Sequence, residues 1–496
     1  MSEASSQDRL NRSLRTRHLN MIAIGGAIGT GLFVASGATI STAGPGGAVV
    51  AYAVTGLMVW LIMQSLGEMA AFLPVSGSFG EYGRRFVSPS FGFAMGWNYW
   101  FNWAITVAAE LAAAALVMKY WFPDTPSYIW SALFLAILFG INALSTRAYG
   151  ESEFWFAAIK VITVIVFLLL GVAMILGILG DAPGTANWTN GEAPFKGGLE
   201  GIFLVILVAG YSFQGTELIG VAAGEAEDPG KNIPRAIRTI FWRILLFYIG
   251  AIIVIGFLIP YTDPSLLSAA EENNISVSPF TLVFKKAGIL AAASLMNAVI
   301  LTSVLSAGTS GLYASTRMLF ALAENGHAPA FLTKLSQHQV PMNALVATTL
   351  VGLAAFITSI VGDGQAYKFL LTVSALAGFI TWIGISWSHY KFRKALAAQG
   401  FSLDILPYRA SFFPAGAIIA LVACVAIVIG QAYGPIKEGA SIAKLLLPFI
   451  GIPFFLALWL GHKLMTGSKS INPAEADLSS DTHLTLSRDA ALTPES

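Results

Sequence analysis

Three ionisable residues stand inside long apolar stretches of the chain: Glu110, Lys160 and Glu217. A charge in hydrocarbon is costly, so such residues turn toward a protein interior or a watery cavity and are candidates for ligand binding or proton transfer. Glu110 ends a set, Tyr99, Trp103, Thr106 and Glu110, whose offsets of 0, 4, 7 and 11 mark one face of a helix, with Asn102 beside it. Aromatic rings on that face could pack along an aliphatic chain and attract its terminal ammonium, worth roughly 0.5–2 kcal/mol. The carboxylate suits the same cation. The competing reading is packing alone, with a buried Glu–Lys pair that only fixes helices.

Covalent chemistry finds no footing. The single cysteine, Cys424, lies in an apolar run and cannot form an intrachain disulfide. The six histidines fall mostly near loops or tails and lack metal-ligand spacing, and no phosphate loop, Walker motif or nucleophile elbow stands where it could work. We expect no enzyme, no metal and no cofactor. A net charge of +1 carries no footprint for nucleic acid.

The backbone offers a second kind of chemistry. Residues 22–33 (IAIGGAIGTGLF) place four glycines within seven positions of an apolar run. Each glycine costs a helix roughly 1 kcal/mol relative to alanine. Unwound backbone is tolerable in a bilayer only where its free N–H and C=O groups meet protein, ligand or water. Residues 209–217 (AGYSFQGTE) interrupt a second run in the same way. Glycines that only let helices approach are the alternative for either stretch alone. A pair of broken segments in corresponding halves points instead to a transporter's binding site.

The elements that must hold these groups are membrane helices. The chain has 496 residues, 56% hydrophobic and 11% charged, against roughly 25% charged in a soluble domain. Apolar runs of bilayer length recur. We expect an all-α integral membrane protein with twelve spans, near 20–42, 47–72, 92–120, 127–145, 153–179, 199–223, 239–260, 286–312, 342–361, 366–388, 412–433 and 442–465. With the N-terminus inside, the inner loops and tails hold 20 of the 28 Lys and Arg residues and the outer ones seven, Lys160 being left within a span. That asymmetry places both termini in the cytoplasm. The expected organisation is a cytoplasmic tail (1–19), a ten-span core (20–388), a cytoplasmic loop (389–411), two further spans (412–465) and a disordered cytoplasmic tail (466–496). At the inner surface, Glu68 with Arg84 and Arg85, and Glu225, Glu227 and Asp228 with Lys231 and Arg235, read either as solvated loops or as an inner gate of ion pairs. Pro234 is expected to divide one helix from the next.

Residues 24–33 (IGGAIGTGLF), 73–79 (LPVSGSF), 212–217 (SFQGTE) and 226–236 (AEDPGKNIPRA) resemble, in this order, the motifs of the amino acid–polyamine–organocation transporters, in their bacterial amino acid permease branch. The likeness runs from about residue 12 to about 465. Residues 35–40 (ASGATI), 96–103 (GWNYWFNW), 187–189 (NWT), 260–267 (PYTDPSLL) and 275–284 (ISVSPFTLVF) resemble the lysine-specific permeases within that branch. The resemblance implies a LeuT-like 5+5 inverted repeat with discontinuous helices 1 and 6, alternating access in a bacterial cytoplasmic membrane, and uptake of L-lysine with protons.

It also assigns parts. Carbonyls at Ala27, Ile28, Tyr211 and Gln214 would take the substrate's α-ammonium, while Gly29, Thr30 and Gly31 would offer N–H groups to its carboxylate. Ser212, Phe213 and Gly215 complete the second break. Tyr99, Asn102, Trp103 and Glu110 would read the side chain, with Glu217 a rival for its ammonium. Lys160 falls where sodium-coupled relatives of this fold hold an ion, so a fixed ammonium there favours proton over sodium coupling, with Glu110 and Glu217 as partners in coupling or gating. A permease for arginine, ornithine, an aromatic residue or GABA is the alternative within the class. A channel or membrane sensor is the alternative outside it, without a filter motif or an output domain in its favour.

Overall fold

A computed structural model describes residues 14, 17–18, 21–22, 28–33, 35–75, 77–266, 278–289, 291–357, 363–437, 439, 441, 449–483 and 485. Among these, the chain is helical, and the single extended contact is a parallel bridge between Leu14 and Ala226. The elements that matter for the site are α1 (Thr30–Phe33), α2 (Ala35–Phe72), α3 (Ser78–Phe86), α4 (Pro89–Met118), α5 (Ser127–Leu144) and α6 (Thr146–Ile175). After them come α7 (Gly198–Ser212), α8 (Leu218–Ala222), α9 (Pro229–Leu258), α10 (Pro279–Lys286), α11 (Ala292–Glu324), α12 (Met342–Gly352), α13 (Asp363–Ala398), α14 (Ala415–Gly430) and α15 (Gly451–Thr466).

Seven of the described helices are long and apolar enough to cross a bilayer. The expected spans 1 and 2 share one of them, α2, which turns at Gly44 (φ 75°) before Pro45. Span 6 is cut short after Ser212, and residues 358–361 of span 9 and 442–448 of span 12 lie outside the described residues. Helix α6 shows how the bundle meets lipid. Glu153, Ala157, Lys160, Val164, Phe167 and Gly171 are buried at helical spacing. Trp155, Ile162, Leu169 and Leu176, seven residues apart, are 59–67% exposed on the other side. An apolar face of that size, left uncovered by protein, is a lipid-facing surface. The chain is a multi-pass membrane protein, with α4 and α11 in its interior and Glu153 and Lys160 of α6 turned inward.

Three expectations change at the face where the chain's ends pack. Pro234 does not divide two helices, because α9 runs through it. It sits in the second turn, where its missing N–H forfeits a single bond. Helix α13 continues ten residues past 388, so much of the expected loop is helix. Residues 466–496 are polar enough to suggest disorder, yet the described part of this tail is docked. Ile471 N–H donates to Val87 O at 2.9 Å, Gln399 Nε2 donates to the Pro473 and Ala476 carbonyls, and Leu478 and Thr482 are buried. A preformed surface orders a segment that its own composition could not.

Candidate functional site

The two glycine-rich interruptions meet. After Gly29, whose carbonyl accepts from both the Leu32 and Phe33 N–H groups at 3.2 Å, α1 begins, and Gly31 lies against the backbone of Ser212. A methyl group on Gly31 would stand 2.5 Å from Ser212 Cα and 2.8 Å from its Oγ. Only glycine permits so close an approach. Helix α7 ends at Ser212, and a series of single turns carries the chain to α8. Phe213 N–H donates to Gly210 O, Gln214 N–H to Tyr211 O (3.0 Å) and Thr216 N–H to Phe213 O. Gly215 holds φ 94°, a conformation that ordinary side chains resist. Ala27, with Gly25 and Gly26, lies outside the described residues.

Side chains brace this crossing. Tyr52 Oη lies 3.1 Å from Ser212 Oγ, and Tyr248 Oη donates to Ser212 O at 2.9 Å, with Phe213 tilted against both rings. Glu217 accepts from Gly215 N–H (3.1 Å) and from Trp382 Nε1 on α13 (3.2 Å). Its carboxylate therefore satisfies a donor that the break itself set free, and it lies within electrostatic reach of Tyr99. Gln214 Nε2 donates to Ala375 O on α13.

The predicted stripe of α4 divides into two parts. Asn102 and Thr106 are tied to α13: Ser374 Oγ donates to Asn102 Oδ1 (3.0 Å) and lies 2.6 Å from Thr106 Oγ1. These two hold helices together. Tyr99, Trp103 and Glu110 are different. Tyr99 packs its ring on Phe79 and on Trp103, and Trp103 lies against Gly311 of α11. Glu110 Oε1 accepts from Tyr211 Oη at 3.4 Å, a long bond that joins α4 to the second break. The Trp103 indole is within electrostatic reach of the Tyr99 hydroxyl, yet Tyr99 Oη, Trp103 Nε1 and Glu110 Oε2 are buried with no partner at hydrogen-bond geometry. Buried polar groups are rarely left so. Three of them on one helix face, beside two broken helices, suit a ligand that brings its own donors and acceptors.

Lys160 is fully buried on the inner face of α6. Its ammonium donates to Ser306 Oγ on α11 at 2.9 Å and feels two carboxylates, Glu153 and Glu110. Glu153 did not emerge from the sequence because span 5 was expected to begin there, at the water. The helix begins at Thr146, which moves that carboxylate inside, where it is fully buried. Ser306, Ser374 and Trp382 are uncharged residues in apolar runs and carry no sequence signal of their own.

Of the groups expected to pair at the tail-bearing face, Lys231 and Asp228 do so, at 3.1 Å, and the other ion pairs there are not the ones expected. Glu68 pairs with Arg393 and His389 of α13, while Arg84 and Arg85 both turn to Glu81. Glu225 pairs with Arg317 of α11 at 2.8 Å. No grouping of metal-ligating side chains occurs among the described residues.

Comparison with known proteins gives this arrangement a family. Residues 18–470 match the amino acid permease family. The chain is 57% identical to the lysine-specific permease LysP of Escherichia coli over 469 residues, 94% of this chain and 96% of the relative. It is 50% identical to the lysine-specific permease LysP of Lactococcus lactis over 96% of this chain and 94% of that protein. It is 49% identical to the histidine permease HisP of the same organism over 96% of this chain and 99% of that protein. A match over nine-tenths of the chain, with Gly31 packed on the turn that ends α7 beside a buried carboxylate, leaves one assignment: the chain belongs to the amino acid permeases, which are transporters and not enzymes.

Proposed function

We propose that this permease imports L-lysine across the cytoplasmic membrane by proton symport and alternating access, through a LeuT-like 5+5 repeat of ten spans followed by two more, with both termini cytoplasmic. The observation that carries the reading is Glu110, a buried carboxylate with one long bond to Tyr211 and one oxygen without a partner. The lysine backbone lies between the breaks, its carboxylate on the N–H groups of Gly29, Thr30 and Gly31 and its α-ammonium on carbonyls near Ile28, Tyr211 and Gln214. The aliphatic chain runs past Tyr99 and Trp103 to Glu110. Glu217, already committed to Gly215 and Trp382, shapes the second break. Asn102 positions α4, while Ser212, Phe213 and Gly215 keep α7 open. Lys160 takes the place of a coupling cation and exchanges its charge partners as the proton arrives and leaves.

Two relatives are named for lysine and a third, nearly as similar, for histidine, so histidine is the competitor to test. Purified protein in proteoliposomes should accumulate radiolabelled lysine under an inward proton gradient, with no need for sodium. Competition by histidine, arginine or phenylalanine stronger than by unlabelled lysine would overturn the substrate. Uptake that requires sodium and ignores the proton gradient would overturn the coupling.

A further inference from the structure

We infer that Ser306 and Glu153 form a built-in proton relay that discharges Lys160 toward the tail-bearing face, a role that rests on the proton-symport reading. The geometry has a direction. The Lys160 ammonium donates to Ser306 Oγ at 2.9 Å, and the same hydroxyl lies 2.8 and 2.7 Å from the two oxygens of Glu153, to either of which it can donate its one proton. A hydroxyl that accepts from a cation and donates to a carboxylate can pass a proton in one concerted step. Oγ takes a proton from Nζ as it gives its own to Oε. The ammonium becomes a neutral amine, the carboxylate becomes a carboxylic acid, and the serine ends as it began. No other reactant is needed.

The surroundings favour this use over a static ion pair. A Lys–Glu pair built only for packing gains most from direct contact, since desolvation of both ions is otherwise poorly offset. Here a serine stands between them. Among the described residues, the charges that other elements bring to the start of α6 go elsewhere: Arg17 and His18 meet Glu151, and Arg317 of α11 meets Glu225. Helix α5 bears none along its length, and the stretch of α9 that faces α6 (Gly250–Leu258) bears none. The lysines of α10, Lys285 and Lys286, sit at its exposed end. The charge on Glu153 therefore answers to Lys160 alone at short range, and through Lys160 to Glu110 beside Tyr211.

Further polar groups follow. Ser310, one turn along α11, lies near Glu153 and 3.2 Å from Tyr149 Oη. Tyr149 stacks on Tyr313, whose ring carries the Arg317 guanidinium at 4.4 Å. Arg317 closes the file with Glu225, whose backbone carbonyl accepts from Leu14 N–H. The Arg317–Glu225 pair ends a line of polar groups that begins at the candidate lysine carboxylate partner.

Proteoliposomes holding a trapped pH dye, with the membrane potential clamped, separate the relay from transport as such. Lysine added outside should acidify the lumen with wild-type protein. Ser306→Ala keeps both charges and removes the relay, so acidification should fall at least tenfold while lysine counterflow, which needs no net proton transfer, falls less than threefold. Glu153→Gln should behave alike, and Ser306→Thr, which restores a hydroxyl, should recover most of the signal. The relay is wrong if Ser306→Ala acidifies the lumen at the wild-type ratio of protons to lysine, or if Ser306→Thr is as poor as alanine while counterflow stays intact. A wild-type protein that moves lysine without acidification would instead defeat proton symport, and the relay with it.

Discussion

Glu68 and Glu110 are both buried glutamates of a membrane bundle, and they are treated in opposite ways. Glu68 accepts from Arg393 through two nitrogens, from His389 Nε2 at 3.0 Å and from Ala410 N–H at 2.6 Å. Glu110 has one acceptor oxygen on Tyr211 at 3.4 Å and the other with no partner. A saturated carboxylate gains charge-assisted bonds at both oxygens and has nothing left to give a ligand. An unsaturated one leaves desolvation unpaid for in the empty state and gains most when a cation or a proton arrives. Full pairing marks Glu68 as a group that joins helices, and incomplete pairing marks Glu110 as one open to a cation or a proton.

That contrast can be broken most forcefully at Arg393. Arg393→Met leaves Glu68 buried without its strongest donors, which should cost about 3–5 kcal/mol of stability. A thermal melt followed by size-exclusion chromatography would read this as an early loss of monodisperse protein. An unchanged melt would mean that Glu68 is not saturated by need. Glu110→Gln should do the reverse. Uptake is expected to fall about a hundredfold, or about 2.7 kcal/mol of activation free energy, with the melt unchanged or raised. Gly31→Ala tests the crossing itself. Its new methyl group has no room beside Ser212, and overpacking of that kind costs about 1–3 kcal/mol, visible as lost lysine binding in a scintillation proximity assay. Trp382→Phe removes one of the two N–H donors that occupy Glu217, at about 1 kcal/mol. A several-fold weaker lysine affinity is expected, and a gain in affinity would show that Glu217 had been withheld from the substrate.

The smallest effect belongs to the docked tail. Asp477 is partly desolvated, which raises its pKa, but N–H donors from Ser480 and Ser479 and the charge of Arg85 overcome this and lower it to about 2. Because the folded value lies below the unfolded 3.8, this contact stabilises fully above about pH 4 and is lost only as pH falls toward 2. His483 of the same tail packs on Phe72, and desolvation lowers its pKa from the ordinary 6.5, so protection from protease should hold above about pH 7 and weaken as pH falls below that value. Protection that stayed level down to about pH 4 would show that His483 does not bear on the contact, and Arg85→Gln should expose the tail with little change in uptake.

Much of this was legible without coordinates because a bilayer is a severe filter. Glycines in the middle of apolar runs, and carboxylates and a lysine far from water, are conspicuous against hydrocarbon, so Gly31, Tyr211, Glu110 and Lys160 stood out by type and position alone. The tertiary structure decided the partners. Helical periodicity put Tyr99, Asn102, Trp103, Thr106 and Glu110 on one face, but only packing against α13 assigned Asn102 and Thr106 to Ser374 and left the other three open. Sequence proximity offered Arg84 and Arg85 to Glu68, whereas the bundle brought Arg393 from 325 residues away. Glu153 and Ser306 became visible once the start of α6 moved inward and α11 came alongside. Spacing along a helix determines which way a side chain faces, and a long-range contact determines whether its hydrogen bonds are already taken. In this protein, that second property separates the groups that hold the fold from those available to a substrate.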